Sequence, residues 1–288
     1  MQILLLSKPI IIIQMFLFLF LFVYILIFLC TGIIINKIIY YNNNKNKINK
    51  VFLINLPKRK DRLNLFKMNY NFNIPLNIIN AVDGYNLDIN DLYKNGILGI
   101  QGYNSIINNK NGKRKNHYEL TNKGSIGCYL SHYSIWKNEK DFEICFIFED
   151  DCVFNNITLQ EIYYRISLLP NDWDIYLLSN FDRCYLKIKI NKNLFKINRF
   201  FLTNAYIINK KAIYKIFNTN TLFPINQQLD SYLSELAQDF NLNIYNHKNY
   251  KYYNQSQYFK TDIQDNSKEL SYDRCFISYP FYNNKENL

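Results

Sequence analysis

The sequence predicts an α/β fold with a mostly parallel central sheet, preceded by one N-terminal transmembrane helix. From residue 51 onward, short apolar strands alternate with amphipathic helices, which is typical of α/β domains. Residues 144–148 (Ile-Cys-Phe-Ile-Phe) are apolar at every position, as expected of a central strand that is covered on both faces. The transmembrane helix is predicted from an almost uninterrupted apolar run at residues 10–30.

The apolar run at residues 10–30 has one polar interior residue, Gln14. At roughly 1.5 Å per residue it is long enough for a hydrocarbon core of about 30 Å. It ends in bulky residues rather than the small residues of a cleavage site, which favours an uncleaved anchor over a signal peptide. Lysines lie on both sides of the run. The positive-inside rule favours a cytosolic domain, whereas an ER or Golgi enzyme would place it in the lumen, so the topology stays open.

Four segments are expected along the chain. Residues 1–36 hold the membrane anchor, and residues 37–50 are a polar linker rich in Asn and Lys. Residues 51–250 form the folded domain, since the chain is 49% apolar and 17% aromatic, ample for a packed core. Residues 251–288 are a tail of uncertain structure.

The elements of the domain follow from local patterns. Strands are predicted at residues 51–56, 77–81, 144–148, 174–178 and 205–208, and helices at residues 61–68, 125–136, 158–169, 210–217 and 229–240. Ser125 is the expected N-cap of the second helix, and Thr158 with Glu161 forms an expected capping box. Residues 84–123 are weakly patterned and predict a long loop.

The formal net charge of the chain is +11, and residues 1–50 supply +5 of it through five lysines without an acid. The densest basic cluster elsewhere is Lys110, Lys113, Arg114 and Lys115, which lies among Asn and Gly without aromatic residues. This pattern favours a solvated loop over a nucleic-acid surface. We therefore expect no nucleic-acid partner.

Five cysteines lie outside the apolar run: Cys128, Cys145, Cys152, Cys184 and Cys275. Their spacing fits no zinc-ligand pattern. Buried apolar thiols are the expected state, and the disulfide state stays open.

Three consecutive acids, Glu149, Asp150 and Asp151, follow the buried strand. In a position with little water their charges would repel one another unless a cation offset them. Mg²⁺ and Mn²⁺ prefer carboxylate oxygen and take one or two protein carboxylates together with phosphate oxygens. An isolated acidic triplet is more often a solvated loop or the cap of a following helix, and the buried strand before this one makes a metal site the alternative.

Three segments, in this order, resemble glycosyltransferase family 25. They are Val-Phe-Leu-Ile-Asn-Leu-Pro-Lys-Arg-Lys-Asp-Arg at residues 51–62, Gly-Ser-Ile-Gly-Cys-Tyr-Leu-Ser-His at residues 124–132, and the Glu149 to Asp151 triplet. The family includes bacterial lipooligosaccharide galactosyltransferases and animal procollagen galactosyltransferases. Ser125 stands where the family usually has Glu. The segment Thr203-Asn-Ala-Tyr206 corresponds to a family segment that often reads Gly-Thr-His-Ala-Tyr. Leu202, which precedes it, and Asn204 replace that Gly and His.

The resemblance implies a GT-A-like, nucleotide-binding domain. Its reaction would move a hexose, most often galactose, from a UDP-sugar to a hydroxyl group with inversion. A divalent metal would assist, Mn²⁺ before Mg²⁺. The acceptor would be a glycan, as in lipopolysaccharide biosynthesis, or a hydroxylysine-bearing protein, as in collagen glycosylation. Because of the departures at Ser125, Leu202 and Asn204, the alternative is an inactive, membrane-tethered relative that acts as an adhesion or binding module. The oligomeric state stays open.

The resemblance also suggests roles for single residues. Asp151, with Asp150 or Glu149, would touch the metal, and the remaining acid would orient the nucleotide. The donor would contact residues of all three segments and one turn: Asn55, Arg59, Arg62, Asp83, Ser131, His132, Glu149 and Asp150. Ligands of open α/β sheets bind at the carboxyl ends of strands, where Asn55 is expected. Arg59 and Arg62 would reach phosphate or pair with Asp61, and Asp83 has a turn role as its alternative.

Two further assignments concern proton transfer. Inverting transfer needs a base for the acceptor hydroxyl, and Asp230 is the candidate, with a first-turn helix acid as its alternative. Ser131 and His132 match the family's Leu-Ser-His. No acid partner follows from their spacing, so a Ser-His-Asp triad is not indicated.

Overall fold

The computed structural model describes residues 17–32, 47–108, 118–120, 122–139, 141–154, 157–179, 184–240, 242–248 and 253–255. The chain divides into two units, Met1–Lys47 and Ile48–Leu288. The basic cluster at residues 110–115 and Cys275 lie outside the described residues, as does most of the linker and of the tail.

In the first unit, residues 17–32 form helix α1. Within the described part of the chain, no helix has the length and apolar character needed to cross a bilayer. A spanning helix needs about 20 residues, and α1 covers only part of the predicted span, of which residues 10–16 lie outside the described residues. The prediction of a single-pass transmembrane helix and of membrane localisation is therefore wrong.

The second unit alternates strands and helices. Its described strands are β1 Lys50–Asn55, β2 Leu76–Asn80, β3 Ile144–Glu149, β4 Cys152–Phe154, β5 Ile175–Leu177, β6 Cys184–Lys189, β7 Leu194–Phe200, β8 Ala205–Asn209, β9 Ile244–His247 and β10 Tyr253–Gln255. Its described helices are α2 Lys60–Asn69, α3 Ile89–Lys94, α4 Ile100–Asn108, α5 Lys123–Asn138, α6 Leu159–Ser167, α7 Lys210–Asn218 and α8 Leu229–Asp239, with a 3₁₀ helix at Gly84–Asn86.

Eight of these strands form one sheet in the order β2-β1-β3-β8-β5-β9-β7-β6, and β4 pairs with β10. β1 runs parallel to β2 and β3, and β5 runs parallel to β9. The other neighbouring pairs of the sheet are antiparallel. The α/β class is confirmed and fits a GT-A-like domain. The sheet is mixed rather than mostly parallel, because a buried strand has the same apolar pattern in either direction.

The central strands divide two hydrophobic cores. In β3, Cys145 and Ile147 face the core that includes α5, α7 and α8, whereas Phe146 and Phe148 face the core that includes α2 and α6. Every side chain from Ile144 to Phe148 is buried. The doubly covered strand expected from the sequence is therefore present, and it ends at the acidic triplet.

Two local predictions are corrected and one is confirmed. The loop expected over residues 84–123 contains the 3₁₀ helix, α3 and α4. The N-cap of α5 is Asn122, whose side chain accepts the Ser125 N–H at 3.2 Å, so Ser125 lies inside the first turn. Thr158 caps α6 by accepting the Glu161 N–H, as expected.

Four cysteines of this unit, Cys128, Cys145, Cys152 and Cys184, are free thiols.

Candidate active site

The candidate active site lies where three parallel strands end at the same edge of the sheet. The register pairs Asn55 of β1 with Asn80 of β2, and Ile54 of β1 with Glu149 of β3. Asn55 therefore lies beside the acid that follows Glu149. The segment after β2 and the first half of α5 close over this edge.

Close contact between α5 and the segment after β2 depends on two glycines. A Cβ on Gly127 would lie 2.4 Å from the Val82 carbonyl oxygen, and a Cβ on Gly84 would lie 1.9 Å from the Lys123 carbonyl oxygen. Ser131 joins the same two elements, because its Oγ accepts the Val82 N–H at 2.8 Å and donates to the Gly127 carbonyl at 2.6 Å. Ser131 thus shapes the site through its backbone contacts.

Asp150 is held in a buried ion pair. Arg62 Nη1 donates to its Oδ1 at 2.8 Å, and Asn55 Nδ2 donates to its Oδ2 at 2.7 Å. Burial raises the pKa of Asp150, while Arg62 and Asn55 act in the opposite direction. Both carboxylate oxygens are engaged, so Asp150 is better placed to organise the site than to bind a cation.

Glu149 has different partners. Its Oε1 meets His132 Nε2 at 3.3 Å and accepts the Thr203 hydroxyl at 2.8 Å. Its backbone N–H donates to the Asn204 carbonyl at 2.9 Å. The other nitrogen of His132, Nδ1, lies 2.9 Å from the Tyr206 hydroxyl. The triplet therefore separates into an acid beside Arg62 and an acid beside His132 and Thr203.

Cys128 lies on α5 close to His132 and Glu149. Burial raises the pKa of its thiol, and the charges of Glu149, Asp230 and Asp151 raise it further. The ligand atoms of Cys128, His132 and Glu149 also lie within 4.8 Å of one another, close enough to share a cation. A cation on His132 Nε2 would displace its contact with Glu149.

Most of the predicted site residues line one cavity. Those in its wall are Arg62, Asp83, Ser131, His132, Glu149, Asp150 and Asp151. Asp83 caps the 3₁₀ helix by accepting the Tyr85 N–H and pairs with Lys58 at 2.5 Å, which holds the pKa of Asp83 below its usual range. Asn55 reaches the site through Asp150. Arg59 pairs with the exposed Asp61 at 3.0 Å and is not among the residues of the wall.

Asp230 lies outside the wall of this cavity. It lies in the first turn of α8, where its Oδ2 accepts the Leu202 N–H at 3.1 Å and its Oδ1 accepts the Ser231 N–H at 2.8 Å. It is not among the described residues that line the cavity. Its carboxylate fixes the segment from Leu202 to Asn204, which in turn contacts Glu149.

Each departure from the family pattern has a local consequence. Leu202 has φ = 79°, in the left-handed region that favours the glycine frequent in the family. Among the described residues, the buried Asn204 amide and the buried Ser125 hydroxyl have no hydrogen-bond partner. A buried polar group without a partner costs stability, so both departures carry an energetic cost.

The model of glycosyltransferase family 25, described as LPS biosynthesis protein, matches residues 48–233. The chain belongs to glycosyltransferase family 25. The family predicted from the three sequence segments is confirmed. The enzyme class expected from it, glycosyltransferase, is confirmed as well. The matched region contains every predicted site residue.

Among curated proteins, the family 25 chain is 29% identical over 188 residues to procollagen galactosyltransferase 1-B of Xenopus laevis. It is 28% identical over 189 residues to procollagen galactosyltransferase 2 of Homo sapiens. These alignments cover 62% and 61% of this chain but only 29% and 28% of the relatives. Inactive glycosyltransferase 25 family member 3 of Homo sapiens is 28% identical over 135 residues, 45% of this chain and 21% of that protein.

The sequence did not single out several residues that the fold brings to Glu149. In the sequence, Thr203 and Tyr206 belong only to a family segment and Trp136 only to a predicted helix. Cys128 belongs to the family segment at residues 124–132 and is predicted to be a buried thiol. The family segment Thr203-Asn-Ala-Tyr206 was the available signal. Its distance of 54 residues from Glu149 along the chain gives no indication of contact.

Proposed function

We propose that this chain is a metal-dependent glycosyltransferase. It moves a hexose, with galactose as the first candidate sugar, from a UDP-sugar to a hydroxyl group with inversion. The proposal draws the reaction class from the family and the sugar from the relatives named procollagen galactosyltransferase. The observation that carries it is that Glu149 and Asp151 line one cavity, together with Arg62 and His132, at the carboxyl ends of parallel strands. Such an edge is where open α/β sheets bind ligands.

A divalent cation suits this arrangement. Arg62 offsets the charge of Asp150, whereas Glu149 and Asp151 provide carboxylate oxygens, the ligands that Mn²⁺ and Mg²⁺ prefer. When bound, the metal would supply charge neutralisation for the departing diphosphate. Glu149 and Asp151 are the proposed ligands, and the chemistry of these oxygens suits Mn²⁺ as well as Mg²⁺.

The remaining residues of the wall have proposed positioning roles. Arg62 and Asn55 hold Asp150 in one orientation, so that it can accept hydrogen bonds from the nucleotide side of the donor. Asp83 and the glycine-dependent contact of Gly84 with α5 would define the opposite wall. Asp230 remains a proposed base, although its two backbone partners favour a role in fixing the segment from Leu202 to Asn204.

The acceptor is proposed to be a glycan or a hydroxylysine-bearing protein, because the relatives with the higher coverage are procollagen galactosyltransferases. A second candidate function is an inactive relative that binds without transfer. Matches to inactive family members at 28% identity favour it, as do the strained Leu202 and the unsatisfied Asn204 amide.

Metal-dependent donor binding tests the proposal directly. With the full chain, Asp151→Asn is expected to weaken Mn²⁺-dependent UDP-galactose binding at least about tenfold, because one carboxylate ligand is lost. Binding by calorimetry and UDP release should be measured for UDP- and GDP-sugars, with Mn²⁺ and with a chelator. Asp91→Asn, an exposed acid on α3 outside the cavity wall, is the control and should bind like wild type.

The outcomes separate the two functions. Donor binding with transfer supports the enzyme, and donor binding without transfer to any acceptor supports the inactive relative. Equal binding and turnover in Asp151→Asn and wild type would remove the acidic triplet from the mechanism.

A further inference from the structure

We infer that His132 is a positioning residue for Glu149 rather than a metal ligand, and that Trp136 and Tyr206 fix the ring hydrogen that makes this contact. The catalytic consequence rests on the proposed function. The hydrogen-bond chain itself does not, so the two can be tested separately.

The donor and acceptor at the two ends of this series of hydrogen bonds determine its direction. Trp136 Nε1–H can only donate, and it lies 3.2 Å from the Tyr206 hydroxyl oxygen. A carboxylate oxygen of Glu149 accepts, and it lies 3.3 Å from His132 Nε2. Tyr206 therefore accepts from Trp136 and has one hydrogen to give. That hydrogen goes to His132 Nδ1, at 2.9 Å.

The state of the His132 ring follows from the Tyr206 contact. When one nitrogen of an imidazole accepts, the ring hydrogen resides on the other nitrogen. Nδ1 accepts from Tyr206, so Nε2 carries the hydrogen and donates it to Glu149 Oε1. Burial also raises the pKa of the Tyr206 phenol, which keeps it protonated and able to donate.

The opposite tautomer is disfavoured by the same contacts. With the hydrogen on Nδ1, Tyr206 would receive two donors and its own hydrogen would need another acceptor. Nε2 would then turn a lone pair towards the carboxylate. His132, Tyr206 and Trp136 are at most 2% exposed, so water cannot compensate.

Glu149 is thereby held at one oxygen. Oε1 accepts from His132 on α5 and from Thr203 beside β8, and the backbone N–H of Glu149 is bound to Asn204. No described residue hydrogen-bonds to Oε2, and Glu149 lines the cavity. Oε2 is therefore the oxygen that a cation or the donor would meet, in an orientation set by His132.

The tautomer can be read by ¹⁵N NMR of the full chain labelled at histidine, since the sequence contains only three histidines. We expect His132 to carry its hydrogen on Nε2. Tyr206→Phe should move the Nδ1 resonance of His132 and leave that of His247 in place. Tyr176→Phe is the matched control, because Tyr176 contacts His247 Nδ1 at 2.8 Å, and it should do the reverse.

Adding Mg²⁺ together with UDP-galactose distinguishes positioning from ligation. We expect the Nε2 hydrogen of His132 to remain, and its loss would show a cation on the ring and overturn the inference. A hydrogen on Nδ1 in the wild type, or no response of His132 to Tyr206→Phe, would also overturn it.

Two substitutions of His132 connect the contact to turnover. His132→Gln places an amide near the position of Nε2 and can still donate to Glu149, whereas His132→Asn places it near Nδ1 and cannot. We expect His132→Asn to lower UDP-galactose turnover about 10–100-fold and His132→Gln to lower it much less. Thermal unfolding of both checks that they fold.

Equal losses in the two folded variants would contradict the positioning role. If the wild type turns over no UDP-sugar, the proposed function fails. The tautomer and the response to Tyr206→Phe still decide the hydrogen-bond chain.

Discussion

Two buried histidines lie on opposite faces of one sheet. Each contacts a tyrosine hydroxyl through Nδ1, but the charged group near the rest of the ring differs. His132 Nδ1 lies 2.9 Å from the Tyr206 hydroxyl, and His247 Nδ1 lies 2.8 Å from the Tyr176 hydroxyl. Tyr206 belongs to the core that includes α5 and α8, and Tyr176 to the core that includes α2 and α6. The two pairs share the tyrosine contact at Nδ1, although the ring planes meet at 28° in the first pair and at 85° in the second.

The charge beyond each ring differs. His132 meets the carboxylate of Glu149 at the cavity, whereas Arg165 acts on His247, and burial together with that charge lowers the pKa of His247 to about 4. A His–Tyr contact by itself therefore does not identify a functional site. The group on the far side of the ring decides whether the histidine orients a reactive acid or remains a neutral part of the core.

The largest expected effect is on acid stability, through His247. Its pKa is about 4 in the folded chain and about 6.5 unfolded, so between these values the unfolded state binds a proton that the folded state does not. This contribution is complete above pH 6.5 and is lost as the pH falls towards 4, with a total of about 3 kcal/mol. Urea unfolding at a series of pH values measures it.

His247→Asn should remove this part of the pH dependence, whatever its stability at pH 7. Arg165→Met should reduce it, because the guanidinium charge that lowers the pKa of His247 is removed. An unchanged slope in His247→Asn would show that other groups cause the loss of stability in acid.

A smaller effect is expected at the second donor to Glu149. Thr203→Val keeps the shape of the side chain and removes the hydroxyl that donates to Oε1 at 2.8 Å. We expect UDP-galactose turnover to fall about tenfold, the lower end of the range for groups that orient a ligand. Thr221→Val, which removes a hydroxyl bonded to Thr219 at 2.8 Å outside this cavity, is the control and should leave turnover unchanged.

If Thr203→Val and Thr221→Val turn over the donor equally, Glu149 does not need Oε1 to be held, and the contrast between the two histidine regions loses its functional meaning.

The smallest expected effect is on the Tyr176 side. Tyr176→Phe removes the hydroxyl at His247 Nδ1 and should lower the free energy of unfolding by about 1 kcal/mol, the usual value of one hydrogen bond. Turnover should not change, because neither residue lines the cavity. Tyr214→Phe, at an exposed tyrosine, should leave stability unchanged. A loss of turnover in Tyr176→Phe would mean that both faces of the sheet influence the site.

The sequence by itself determined the α/β class, the doubly covered strand β3, the acid triplet at its end and the family. These follow from local patterns: apolar residues at successive positions, helical spacing, and motifs a few residues long. The same local patterns wrongly predicted a membrane span at residues 10–30. They also placed the N-cap of α5 at Ser125 rather than at Asn122.

Only the tertiary structure decided the strand directions and the partners of each acid. Glu149 and Asp150 are neighbours in the chain, but the first meets His132 and Thr203 and the second meets Arg62 and Asn55. Successive residues at a strand end point in different directions, and the register of β1 and β8 against β3 sets what lies there. Register is a long-range property, because it pairs residues 57 to 95 positions apart that no local pattern connects.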